Sequence, residues 1–140
     1  MKFEPWLPVY GDVNFRGDCP KEGIEQVTFF SRLRREYPDT YGKLGVHPKN
    51  EEKRSGKDFH RLAVDKAMGL TPGASDIIIP GAPSFVCEMK RRDHTQSQWQ
   101  AEQIPYLKAA HGTGCFVCVA LGADAAWEAF KEWLKEQSRR

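Results

Sequence analysis

The sequence has no apolar run approaching the ~20 residues that span a bilayer. Its opening, Met1-Lys-Phe-Glu-Pro-Trp6, lacks the apolar centre of a secretory signal. A soluble, intracellular protein is therefore expected. Charge of one sign is not in excess: 21 Lys and Arg stand against 19 Asp and Glu, a net charge of +2. That balance neither demands nor excludes a polyanionic partner, so what matters is where the basic residues sit. There is no internal repeat and no low-complexity tract, and the weakly hydrophobic, highly charged signature of disorder is absent. Cysteine is scarce, with Cys19, Cys87, Cys115 and Cys118 alone. Cys115 and Cys118 form a C-x-x-C, but within an apolar run that reads as a buried strand, where positions three apart face opposite ways. No second pair stands at metal-ligand spacing, so buried reduced thiols are expected.

What is present suits one domain. The chain has 140 residues, of which 40% are hydrophobic, enough to bury a core. Residues 1–17 are rich in Pro, Gly and aromatics and read as an extended arm, leaving 18–140 as the core. Asp18 or Cys19 as cap and Pro20 in the first turn predict a helix from there to Tyr37, stopped by Pro38. Ile24, Val27, Phe30, Leu33 and Tyr37, with Phe29, would form its apolar face, with Glu22 and Gln26 near the middle and Glu25 at the edge. A carboxylate on an apolar face needs a reason. Residues 45–48 suggest a short strand, and 57–68 a helix closed by Gly69. Ile77, Ile78 and Ile79 pair as a hairpin with the strand 85–90. A helix over 98–110, a strand over 115–121 and an amphipathic helix over 123–137 complete the order, the last with Trp127, Phe130, Trp133 and Leu134 inward. Pro105, inside the first of these helices, should kink it.

The hairpin carries the chemistry. Alternation puts Val86, Glu88 and Lys90 on one face, and Asp76 enters the preceding strand where it can lie near Glu88. Two carboxylates from adjacent strands, with the backbone carbonyl of Met89, make a hard-oxygen site suited to Mg²⁺ or Mn²⁺. Such a metal polarises a phosphoryl oxygen and acidifies water, and Lys90 can orient that water or offset charge on the phosphate. Alone, D-x11-E-x-K is weak and reads as a solvated strand face. Its setting in apolar runs argues otherwise, since carboxylates there are costly without a partner. Gln100 on the next helix either is a buried, satisfied amide or reaches the metal water or a scissile phosphate.

These residues, in this order, resemble the VRR-NUC (virus-type replication-repair nuclease) branch of the PD-(D/E)xK nucleases. The resemblance rests on Pro20-Lys-Glu22 with Gln26, Pro48-Lys-Asn50 with Arg54, and Gly69 with Thr71-Pro-Gly-Ala-Ser-Asp76. Glu88-Met-Lys90, Ser97-x-x-Gln100, Leu107, Gly112 and Val117 complete it. It spans about residues 20–135. It implies an α/β restriction-endonuclease-like fold, a central mixed β-sheet flanked by helices, and cleavage of DNA with Mg²⁺ or Mn²⁺, often branched DNA in bacterial or phage replication and repair. By resemblance, Asp76 and Glu88 are metal ligands, Lys90 is the catalytic lysine, Gln100 is the family's helix glutamine and Glu22 its first-helix acid. Ser75 departs from the proline frequent there, and the stretch Gly112-Thr-Gly114 is longer by one or two residues.

Phosphate contacts are expected from Lys53 and Arg54 and, beside the site, from Arg91, Arg92 and His94. A charge run is also the mark of a solvated face. The rival to a nuclease is a catalytically silent nucleic-acid-binding module of the same fold. Symmetric cutting of a four-way junction calls for two sites related by a two-fold axis, which favours a homodimer without requiring one. The arm can pack on its own domain or on a neighbour.

Overall fold

The computed structural model describes residues 1–48 and 59–138. Its centre is a pair of parallel strands, Phe85–Lys90 (β3) and Phe116–Leu121 (β4), in register from Phe85 opposite Phe116 to Lys90 opposite Leu121. β4 is a continuous apolar run and β3 is buried along its whole length, because both are flanked by another strand on each side and by chain on each face. Ile77–Ile79 (β2) runs antiparallel to β3, and Val9–Tyr10 (β1) runs parallel to β4. The sheet is thus mixed, with order β1-β4-β3-β2. The remaining elements are helices Glu22–Glu36 (α1), Tyr41–Leu44 (α2), Phe59–Ala67 (α3), Gln103–Gly112 (α4) and Ala123–Ser138 (α5).

The two faces of the sheet differ. Phe85, Cys87 and Met89 of β3, with Cys118 and Ala120 of β4, pack against Phe29, Phe30 and Leu33 of α1 and Trp127, Phe130 and Trp133 of α5. The aromatic rings meet mostly edge to face, as Phe29–Trp127 at 5.7 Å and Tyr41–Trp133 at 5.3 Å do. The other face holds a smaller cluster, Leu7, Val86, Leu107, Val117 and Val119, covered by α4 and the N-terminal segment. Cys118 and Cys115 fall on opposite faces, and all four thiols are free.

Of the two placements left open for the N-terminal arm, it packs on its own domain: β1 pairs with Val119 and Ala120, Leu7 is buried, and the Trp99 indole N–H donates to Lys2 O at 2.9 Å. Several expectations are corrected. α1 starts at Glu22 with Lys21 as its N-terminal cap, so Asp18, Cys19 and Pro20 lie before it. Its buried face is Glu25, Phe29, Phe30 and Leu33, whereas Ile24 and Val27 are 57% and 66% exposed. The strand expected over 45–48 shrinks to one antiparallel bridge between Val46 and Ile78. α4 begins at Gln103 rather than 98, which places Pro105 in its first turn. There a missing N–H costs no helical bond, so the expected kink has no cause. No helix among the described residues is long and apolar enough to cross a membrane.

Candidate active site

The hairpin register sets the site. Ile77 lies opposite Cys87, and one step further places Asp76 opposite Glu88 on the face that also carries Val86 and Lys90. The Asp76 carboxylate is fixed there, its Oδ2 accepting from the Met89 N–H at 2.9 Å. The turn before it is held against α4: Gly73 has φ +77, and a Cβ there would collide with the backbone of Glu102. Only glycine both adopts that conformation and permits the approach.

Glu88 and Lys90 are almost wholly buried, at 1% and 2% exposure. Glu88 Oε1 accepts from Gln103 Nε2 at 3.1 Å. Oε2 is buried and receives no hydrogen bond among the described residues; its neighbour is the Asp76 carboxylate, another acceptor. Burial first, then the charge and contact of Asp76, hold Glu88 well above the usual carboxylate range, while Lys90 pulls the other way. Lys90 Nζ donates to Gln98 O at 2.8 Å and to Gln103 Oε1 at 2.9 Å, and lies 3.8 Å from Glu22 Oε1 and 4.9 Å from the centre of the Trp99 ring. Gln103 therefore ties the acid and the base together, and its Oε1 also accepts from the Gln100 N–H at 2.9 Å.

Glu22, in the first turn of α1, accepts from the Ser97 hydroxyl at 3.2 Å. Burial raises its pKa, Lys90 opposes that, and Asp76 adds to it. Glu22 reaches the site because it begins the helix, not because it lies on the apolar face. Glu25 is the buried one. Its Oε2 accepts from the Ala123 N–H at 3.1 Å, capping α5. Gly122, with φ +95, makes room, since a Cβ there would meet Glu25 Oε2.

Two groups were missed from the sequence. Gln103 is the amide that bonds both Glu88 and Lys90, and Gln100 meets it through its backbone N–H; reading Pro105 as a first-turn residue would have moved the helix start and revealed it. His47 places Nδ1 2.8 Å from Asp76 O and 4.0 Å from Asp76 Oδ1. It was hidden because that contact depends on the Val46–Ile78 bridge.

Of the expected phosphate-binding groups, two are committed elsewhere. His94 is buried, with Nε2 3.0 Å from Val13 O and Nδ1 3.2 Å from the Met1 amino group. Arg91 donates to Cys19 O at 2.6 Å and Pro20 O at 3.2 Å, which holds the approach to α1. Both serve the N-terminal segment, His94 from a buried position and Arg91 through Nε and Nη2. Arg92 is exposed, its guanidinium 4.2 Å from the centre of the Phe15 ring. Lys53 and Arg54 lie outside the described residues.

An α/β sheet that brings an acid from one strand opposite an E-x-K on the next defines a recognisable class of fold. No family model matches the sequence, and no curated protein matches it. A solved structure named as a VRR_NUC domain protein matches with a TM-score of 0.66, over 86% of this chain and 92% of that one, at 20% sequence identity. The chain thus has the fold of a VRR_NUC domain, with a restriction-endonuclease-like core.

Proposed function

We propose that this protein is a divalent-metal-dependent deoxyribonuclease that hydrolyses phosphodiester bonds, with a preference for branched DNA met in bacterial or phage replication and repair. The observation that carries this reading is the buried, unpartnered Oε2 of Glu88, on a carboxylate whose neighbour is that of Asp76. A buried carboxylate oxygen beside a second carboxylate calls for a proton or a cation. No three of His, Cys, Asp and Glu converge into a closed cage among the described residues. Two carboxylates and a strand carbonyl nonetheless suit Mg²⁺ or Mn²⁺, since Mg²⁺ keeps several waters and needs few protein ligands. Asp76, Glu88 and the carbonyl of Met89 would hold the ion, with Glu22 close enough to take a bound water. When bound, the ion supplies Lewis-acid stabilisation of the phosphoryl group and acidifies water.

The residues do the rest. Gln103 keeps Glu88 Oε1 occupied and leaves Oε2 for the cation. Two of the three Lys90 donors are spent on Gln98 O and Gln103 Oε1, so the ammonium is fixed in place. Its third N–H remains for the side of Glu22, whose Oε1 is 3.8 Å from Nζ, where it can orient the attacking water or offset charge on the phosphate. A single site cuts one strand, so paired cuts at a junction would come from a homodimer.

The test is cleavage of labelled duplex, flap and four-way-junction DNA with Mg²⁺ or Mn²⁺, beside Asp76→Ala and Lys90→Ala. Metal-dependent cutting is expected, absent in Asp76→Ala and reduced about 100- to 1,000-fold in Lys90→Ala. Cutting unchanged in both variants would refute the assignment. No cutting by the folded wild type would leave the silent binding module of the same fold.

A further inference from the structure

The outward face of α1 beside the site is apolar and open. Ile24 and Val27 are the residues whose burial the sequence pattern predicts and the fold denies. Val27 and Phe30 form the floor of a groove of 260 Å³, edged by Gln26, Arg34 and His47. That volume is just below the range of pockets for drug-sized molecules, the scale of one planar ring system. The groove lies beside the reacting groups, because His47, which lines it, also places Nδ1 2.8 Å from Asp76 O.

Charge separates this side of α1 from the other. The groove has no carboxylate among its lining residues, and the Arg34 guanidinium lies over the Phe30 ring, 5.3 Å from its centre. Across the helix, a hollow of 530 Å³ is lined by four carboxylates, Asp12, Glu25, Asp124 and Glu128, against one cation, Arg92. A polyanionic strand leaving Asp76 and Glu88 is turned away from the acidic hollow and toward the groove. Gly23 supports the same conclusion. It lies in the first turn of α1 without a positive φ, and a Cβ there would touch nothing within 4 Å. Glycine in a helix is unfavourable relative to alanine, and here the fold gains nothing from it. What the missing side chain leaves is an unobstructed mouth to the groove, next to Glu22.

We propose that the groove holds one unpaired nucleobase of the DNA strand whose phosphate sits at Asp76 and Glu88. Val27 and Phe30 supply the apolar contact, and Gln26 meets the base edge. This deepens the nuclease reading and rests on it. A paired base cannot enter, so the groove selects flaps, frayed ends and branch points.

The experiment replaces each nucleotide beside the cut in a flap substrate with an abasic residue and compares wild type with Gly23→Leu, which fills the mouth without adding charge. One abasic position is expected to raise KM about ten-fold for wild type. Gly23→Leu should show that loss on intact substrate and no further loss on the abasic one, because both changes remove the same contact. Val27→Ser is the second variant, should Gly23→Leu fold poorly, and circular dichroism checks both. A binding measurement needs no cutting: 2-aminopurine at that position should change emission on Asp76→Ala protein and not on Asp76→Ala/Gly23→Leu. Equal KM shifts in wild type and variants, or equal emission in both proteins, would overturn the groove. Failure of wild type to cut any substrate counts against the nuclease instead, and the emission measurement then decides the groove by itself.

Discussion

The two faces of one sheet follow opposite rules. On the α1/α5 face, Phe29, Phe85, Phe130 and Trp133 are buried with their rings in contact, and polar atoms are few. On the α4 face, the same strand β3 buries Glu88 and Lys90 in a network with Gln103, and one carboxylate oxygen goes unpaired. Alternation within β3 makes this division, since neighbouring residues face opposite ways. The lesson is that one face supplies stability and lends it to the other, which holds groups the fold would be more stable without.

Substitution should separate the two most sharply at Glu88 and Phe130. Glu88→Gln keeps an acceptor for Gln103 and puts a donor toward Asp76 at every pH, so the orphaned oxygen disappears and no proton has to be held there. The metal-free variant should gain about 1–3 kcal/mol in a denaturant titration while metal-dependent cleavage falls by at least about 1,000-fold. Phe130→Ala should do the reverse, costing about 3–5 kcal/mol through the cavity it leaves. Its surviving folded fraction should still bind Mn²⁺ by calorimetry. A loss of stability in Glu88→Gln would mean that the polar face stabilises the fold after all.

The next largest effect tests which glutamine matters. Gln103→Ala removes the partner of both Glu88 Oε1 and Lys90, and should lower activity about 10- to 100-fold. Gln100→Ala, which keeps its backbone N–H, should stay near wild type. The opposite ranking would restore Gln100 as the site glutamine.

How legible the molecule was from its sequence follows the same division. β3, β4 and α5 could be read because each is a long run whose partner is the core itself, as Trp127, Phe130 and Trp133 show. β1 has two residues, too few for a pattern, and forms because the edge of β4 is there to pair with. Asp76, Glu88 and Lys90 were found together because strand alternation and hairpin pairing bring them together by local rules. The face of α1 was misread because Ile24 and Val27 are apolar without being core. His94 was assigned to phosphate because its partners, Val13 and Met1, lie more than 80 residues away. Contacts of that separation leave no local trace.

The polar face should also respond to pH in its own way. Glu88 is raised in the folded protein, so the metal-free fold binds its proton more tightly than the unfolded chain does. That contribution is present below the unfolded carboxylate value and is lost as pH rises through the folded one. Mn²⁺ must displace the proton, and its affinity should therefore tighten with rising pH until Glu88 is ionised. Calorimetry at several pH values reads the slope, and Glu88→Gln should bind weakly with no such slope. A flat wild-type profile would mean that Glu88 is already ionised in the metal-free protein.

Asp93 shows the contrary sign within three residues of Lys90, and sets the smallest effect. Its carboxylate accepts from the Thr95 hydroxyl at 2.6 Å, the Gly17 N–H at 3.0 Å, the Thr95 N–H at 3.0 Å and Gln96 Nε2 at 3.1 Å. These donors, the Thr95 hydroxyl foremost, pull its pKa down to about 2. A depressed carboxylate stabilises the fold above its unfolded value of 3.8 and loses that contribution as pH falls toward 2. The bond to Gly17 ties the N-terminal segment to the turn after β3, so the loss should loosen that segment and leave the aromatic face intact. In hydrogen exchange on wild type, the Gly17 amide should lose protection between pH 4 and 2 before the amides of β4 do; in Asp93→Ala, which keeps no acceptor, it should be unprotected throughout. Simultaneous loss at Gly17 and β4 would show that the segment and the sheet open as one unit, and the distinction between the two faces would then not extend to their stability in acid.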